Sequence, residues 1–291
     1  MSQTQPKKTE EEEQTGKELA SFRTQSSRIR QMLDYSSLND LFGRVYINIQ
    51  EGEISLIGAE EMARCATYDT FTSEWFDDIS VNAENEGGVE AILKVEEFRK
   101  YLDLASGSGT VEVSLHGNEE DRLATSLEAN GALNLRVFLP ASLRELEQIP
   151  LDIVQLFDED QNYTPAGTDD PLPTEIISDT ATFERIINAV EAQEDEQNPA
   201  YPVVVEDGDL TLEVQSGTGR NSVWGSLEVQ SIQGPDVSNE YFLGFDDTFG
   251  VFSGDVRVQV GPGPDNDEIV VTKGLADGGV LRSMVACMGD N

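Results

Sequence analysis

The residue types that most often carry out chemistry are few in this chain, and their spacing does not suit it. One histidine, His116, closes an alternating segment beside Gly117-Asn118. A zinc site needs several imidazole or thiolate donors and a nucleophile needs a base beside it, so a lone histidine without a cysteine partner reads as a turn residue. Cys65 and Cys287 lack the paired spacing of a metal knuckle or a secreted disulfide scaffold and read as small buried hydrophobes. Gly107-Ser108-Gly109, Gly217-Thr218-Gly219 and Gly261-Pro262-Gly263 read as turns between strands, because none leads into a helix with the Lys-Ser/Thr pair of a phosphate loop. Asp265-Asn266-Asp267-Glu268 could hold Ca²⁺ but lacks the glycine and terminal bidentate glutamate of a calcium loop, so a solvated hairpin tip fits it better. With 56 acidic residues, no carboxylate pair can be singled out as acid and base. No catalytic residue, metal site or cofactor is expected, and the chain is expected not to be an enzyme.

Composition sets the habitat. Against 56 Asp and Glu stand 19 Lys and Arg, of which 6 are lysine, and the net charge of -37 is spread over all 291 residues. Such self-repulsion weakens a compact state in dilute buffer, whereas molar salt shrinks the Debye length to roughly 3 Å and removes most of it. A halophilic cytoplasm is therefore expected. No apolar run approaches the roughly 18 residues of a membrane span, and the first twenty residues are polar and charged, so neither signal peptide nor anchor is expected.

The elements follow from periodicity. Residues 1–20 have almost no apolar content and are expected to be a disordered acidic leader. Ile29, Met32 and Leu33 stand at helical spacing after Ser27. Val45–Ile49 and Glu53–Ile57 alternate about the turn Glu51-Gly52 and predict a hairpin. Val95, Phe98, Leu102 and Ala105 mark a second helix, with Arg99 and Lys100 near its other face. Thr110–Leu115, Arg122–Glu128 and Leu133–Leu139 then predict a three-strand meander. Residues 141–174 lose all periodicity and read as an interdomain connector. Beyond it come a strand at Glu175–Ser178, a helix at Thr182–Ala192, a hairpin turning at Asp207-Gly208 and a strand at Val223–Val229. Gly109–Leu115 matches Gly254–Val260, and Asn130–Arg136 matches Asp277–Arg282. An α+β chain of two tandem repeats is expected, residues 21–140 and 175–291, each with its own core.

In this order the sequence resembles the sliding-clamp family that includes the proliferating cell nuclear antigen (PCNA). Asn134–Leu139 leading into Ile149-Pro150-Leu151-Asp152-Ile153 is similar to the family's last strand of domain one and its entry into the connector. The resemblance covers about Phe22 to Met288. It implies a homotrimer, a pseudo-sixfold ring with helices inside and sheets outside, acting as a DNA polymerase processivity factor that encircles duplex DNA without reading its sequence. The implied partners are DNA polymerase, a clamp loader and other proteins bearing PIP-box-type peptides, in a halophilic archaeal cell or its virus. A clamp-fold scaffold that does not encircle DNA is the alternative.

The resemblance also implies site residues. Channel positions that match are Arg28, Arg30, Arg99, Lys100 and Arg185, although Phe245–Gly250, on the fourth helix, holds two acids and no base. Matching positions of the partner-peptide pocket are Ala59, Ala66, Ile149, Leu151, Ile153, Met284, Val285, Ala286 and Cys287. Ala286-Cys287 stands where the family has an Ala-Pro pair, and Arg64 stands beside the pocket. Subunit contact is implied along Arg122–Glu128 (Arg122, Leu123, Leu127) and Val223–Val229 (Val223, Leu227, Val229), as open strand edges.

Overall fold

Short alternating segments separated by glycine-bearing turns make a strand-rich chain. The computed structural model describes residues 16–60, 64–82, 87–106, 109–118, 123–139, 150–193, 199–216, 219, 221–242, 244–263 and 266–286. The first half runs β1 (Lys17–Gln25), α1 (Ser26–Ser37), β2 (Arg44–Gln50), β3 (Glu53–Ala59), β4 (Cys65–Thr72), a 3-10 turn (Ser73–Trp75), β5 (Asp78–Val81), β6 (Val89–Lys94), α2 (Val95–Ser106), β7 (Thr110–Gly117), β8 (Ser126–Asn130) and β9 (Asn134–Phe138). After a 3-10 helix at Leu151–Leu156 the second half runs β10 (Thr174–Asp179), α3 (Thr180–Glu191), β11 (Tyr201–Glu206), β12 (Asp209–Gln215), β13 (Ser222–Leu227), β14 (Ser231–Gln233), β15 (Val237–Tyr241), α4 (Phe245–Val251), β16 (Asp255–Pro262), β17 (Asp267–Gly274) and β18 (Gly279–Ala286).

The two halves are the same succession of strands and helices, and their pairings agree. β1 lies between β5 and β7 as β10 lies between β14 and β16. β2 pairs β6 as β11 pairs β15, and β7-β8-β9 is repeated as β16-β17-β18, all antiparallel. The α+β class and the tandem repeat are thus present, with more strands than a helix, hairpin, helix and meander would give.

Packing divides the chain into two compact units that do not coincide with the repeats. One comprises Met1–Met32, Gly43–Leu56 and Thr70–Ile149, the other Leu33–Phe42, Ile57–Asp69 and Pro150–Asn291. In the first, β1 and β7 turn Leu19, Phe22, Val111, Val113 and Leu115 inward, where Ile29 and Met32 of α1 and Phe98 and Leu102 of α2 are buried too. Phe22 meets Phe76 edge to face at 5.5 Å, and Phe71 lies 5.2 Å from Trp75.

In the second unit an aromatic stack seats both helices. Phe183 of α3 stacks on Phe249 of α4 at 4.4 Å, and Phe245 stacks on Tyr201 of β11 at 5.1 Å and Tyr241 of β15 at 6.1 Å. Asp179 caps α3 by accepting from the Ala181 amide at 2.8 Å, which starts the helix at Thr180. Gly58 lets chain segments meet, for a Cβ there would strike the Ser36 carbonyl and the Phe42 ring.

Two expectations change. β1 begins at Lys17, inside the expected leader: Lys17–Ala20 alternate weakly, but their backbone groups are taken up by β7 and, at Ala20, β5. The segment expected as an open-edged strand at Arg122–Glu128 becomes β8 from Ser126, with β7 on one side and β9 on the other. Alternation marks a strand but not its place in the sheet, and on that side the free edge belongs to β9, with β5 at the other end.

Candidate functional site

The residues singled out from the sequence fall into two groups. The first lies on helices, with Arg28, Arg30, Arg99 and Lys100 in the first unit and Arg185 in the second. Arg28 is folded onto its own unit, its guanidinium donating to the Trp75 carbonyl at 2.6 Å and lying 5.2 Å from the Trp75 ring centre. Arg30 bonds the Asp103 carboxylate, at 2.9 Å through Nε and 2.7 Å through Nη2, and so ties α1 to α2. Arg99 is half-buried, whereas Lys100 on α2 and Arg185 on α3 project into solvent. Around Arg185 the charge reverses. Glu184 and Glu191 of α3 and Asp246 and Asp247 of α4 line one open groove with Asn39, Ile187, Asn188 and Gly250. Partial burial, and then the Asp246 charge, push the Asp247 carboxyl up to about 6.

The second group lies on the connector side of the second unit. Of the expected pocket residues, Ala66, Ile153 and Val285 are buried, Ala59, Leu151, Met284 and Ala286 are half-buried, and Ile149 and Cys287 lie outside the described residues, as does Arg122. The Ala286 amide donates to the Arg64 carbonyl at 2.8 Å, which ties β18 to the start of β4. Met284 joins a cluster that the sequence did not announce: Tyr163, Leu172 and Val270 are buried together, with Leu156, Phe157 and Met284 packed against them.

Polar contacts hold that cluster in place. Phe157 and Tyr163 form an antiparallel bridge, and their rings lie 5.3 Å apart. The Arg282 guanidinium lies over both the Tyr68 and Phe157 rings, at 4.6 and 5.3 Å, and its Nε donates to the Gln161 side chain at 2.8 Å. Arg257 donates to Glu175 at 2.6 Å, to the carbonyls of Asp160 and Gln161 at 3.2 Å each, and to the Asn162 side chain. The Tyr163 amide donates to Gln259 at 3.2 Å, and burial followed by Glu268 pushes the Tyr163 phenol well above its ordinary pKa. The only sequence signal for this arrangement was a pair of aromatics in a stretch otherwise rich in Asp, Pro and Gly.

Strand edges complete the picture. β13 is paired only with β12 and β9 only with β8, so each ends its sheet. Val223 and Leu227 lie half-buried on β13, Val229 lies just past it, and Trp224 is 75% exposed. On the other edge Phe138 is 60% exposed. Leu123 makes an isolated bridge to Glu90, and Leu127 is buried on β8. Their counterparts are not open: β4, equivalent to β13, lies beside β18, equivalent to β9.

His116 is on β7, its Nε2 3.9 Å from the Glu128 carboxylate, and burial lowers its pKa. Cys65 is fully buried, and burial raises its thiol pKa. Among the described residues no cluster of three or more His, Cys, Asp or Glu could hold a metal, and no helix is long and apolar enough to cross a membrane.

The sequence matches no family model and no curated protein. Its structure is similar to that of PCNA from Thermococcus kodakaraensis, with a TM-score of 0.64 and 13% identity over 92% of this chain and 99% of that one. It is similar to A. fulgidus PCNA, solved with the C-terminal region of FEN-1 bound, with a TM-score of 0.67 and 10% identity over 94% and 100% of the two chains. It is similar to a PCNA2-PCNA3 complex of Sulfolobus tokodaii, with a TM-score of 0.62 and 13% identity over 93% and 100%. Agreement over nearly the full length of each chain, with both repeats included, gives this protein the fold of the PCNA sliding clamps.

Proposed function

We propose that this chain is a DNA sliding clamp, a non-catalytic polymerase processivity factor that encircles duplex DNA as a homotrimer and recruits replication and repair proteins through its connector side. One observation carries the reading. Within the chain, β4 of the first repeat meets β18 of the second, while the equivalent strands β13 and β9 are left open. Bringing β9 of one copy to β13 of the next repeats the internal seam between copies. Such a head-to-tail contact generates a ring when its rotation closes. Trp224 and Phe138, exposed on those edges, would be covered by it. The clamp complexes among the similar structures support partner binding and assembly of this kind.

A chain with a net charge of -37 can serve DNA in this way because encirclement does not need affinity. In molar salt the Debye length is roughly 3 Å and phosphate contacts are weak for any protein, so a closed ring stays where a bound patch would leave. Lys100 and Arg185 are the exposed cations offered to the backbone. The acidic groove between α3 and α4 favours a second reading, a clamp-fold scaffold that assembles without encircling DNA.

Mass determination in molar KCl tests the proposal. A mass about three times the 31.9 kDa chain is expected, lost in Trp224→Glu, together with retention on nicked circular DNA that ends on linearisation. A monomer at every salt concentration overturns the clamp, and a trimer never retained on circular DNA leaves the scaffold.

A further inference from the structure

The connector side already has an occupant. Residues 157–163 double back through the Phe157 to Tyr163 bridge, with the Asp158 carboxylate accepting from the side chain and the amide of Asn162, both at 2.8 Å. The resulting strap lies on β16, β17, β18 and β4, touching Gln259, Val270, Met284 and Tyr68.

Taking the connector side as the partner seat, we propose that this strap is an internal plug: Phe157 and Tyr163 fill the apolar floor of Val270, Leu172 and Met284, and a partner peptide binds by displacing them. The chemistry of the occupant matches that of the guest. Two aromatic rings 5.3 Å apart with Leu156 alongside are what an aromatic and aliphatic peptide would bring to the same floor. Replacement is close to one for one in apolar contact, so the exchange turns on the polar fastenings.

Those fastenings are built to release. Arg282 and Arg257 hold the strap through Gln161, Asn162 and main-chain carbonyls, which are neutral acceptors, and the attraction between Arg257 and the solvent-exposed Asp158 of the strap is screened by salt. When such a bond opens, water replaces both the donor's and the acceptor's partner, so its net contribution is modest. Tyr163 is buried but Phe157 only partly so, which leaves one ring as the point of entry. A tethered plug competes at high effective concentration and lowers apparent affinity by the fraction of molecules in which the seat is open.

The test uses the full-length chain and a fluorescent synthetic peptide that carries the strap's own apolar set, a leucine and two aromatics. Arg257→Gln loosens the strap without touching the floor, and Phe157→Ser with Tyr163→Ser removes the plug. Each is expected to bind the peptide about tenfold more tightly than the wild type, as for a seat open in about one molecule in ten. Adding Met284→Glu to either should abolish binding. Hydrogen exchange at residues 157–163 should be protected about tenfold in the free wild type and lose that protection when peptide is added. Equal affinity in wild type, Arg257→Gln and the plug-removed protein, with Met284→Glu still abolishing it, overturns the plug and leaves the seat intact. No binding by any of the proteins overturns the seat and the plug with it, while the mass in molar KCl still reports on the ring.

Discussion

Asp69 lies fully buried on β4, accepting from the Ser36 hydroxyl at 2.6 Å and from the Arg282 amide at 3.0 Å. Burial pushes its carboxyl up to about 7, and the two hydrogen bonds and the Arg282 charge only partly offset that. In the unfolded chain the same group ionises near the ordinary value of about 3.9. Between these values the folded state holds a proton that the unfolded state has released, so this residue's contribution is fully present below about pH 4 and is lost as pH rises through about 7. Denaturation of wild type and Asp69→Asn in parallel should show the wild type losing stability relative to the variant across that window. Parallel pH profiles would mean the carboxyl is not perturbed. At the helices, Lys100→Glu with Arg185→Glu should shorten processive synthesis and flatten the salt dependence of DNA binding by about one unit per phosphate contact removed, with the oligomer mass unchanged. Unaltered processivity would remove these two residues from the DNA face. Arg28 and Arg30 are poorer choices, since Trp75 and Asp103 already engage them.

The least self-sufficient element is α4. Its seven residues carry two acids in the first turn and no base in the last, and its length is well below what a helix needs to persist alone. The aromatic stack holds it in place, so Phe249→Ala should cost about 3–5 kcal/mol in chemical denaturation. A loss below about 1 kcal/mol would mean the stack is ornamental. Periodicity made α1, α2 and α3 legible, and the Glu51-Gly52 and Asp207-Gly208 turns announced both hairpins, with Gly52 and Gly208 each at a φ of 84°. β4 was not legible. Cys65–Phe71 are buried one after another, so the strand has no alternation to read. The order inside the connector was not legible for the opposite reason: two distant arginines and an apolar floor order part of a stretch rich in Asp, Pro and Gly, and long-range contacts leave no local trace.

At the scale of the whole molecule, the tandem repeat could be read because it recurs within one sequence, as Gly109–Leu115 and Gly254–Val260 show. The sheet order could not, which is why Arg122–Glu128 seemed an edge and β9 proved to be one. The seam between β4 and β18 also has a consequence for synthesis. Its partners are far apart along the chain: the Asp69 carboxylate meets an amide 213 residues later. At roughly 5–20 residues per second, β4 leaves the ribosome on the order of ten to forty seconds before β18 exists to cover it. During that interval the nascent chain carries an unmatched strand, open to capture by the finished edge of a neighbouring copy. Translation speed and chaperone supply, more than the stability of the mature protein, would then govern how much correctly closed chain a cell obtains.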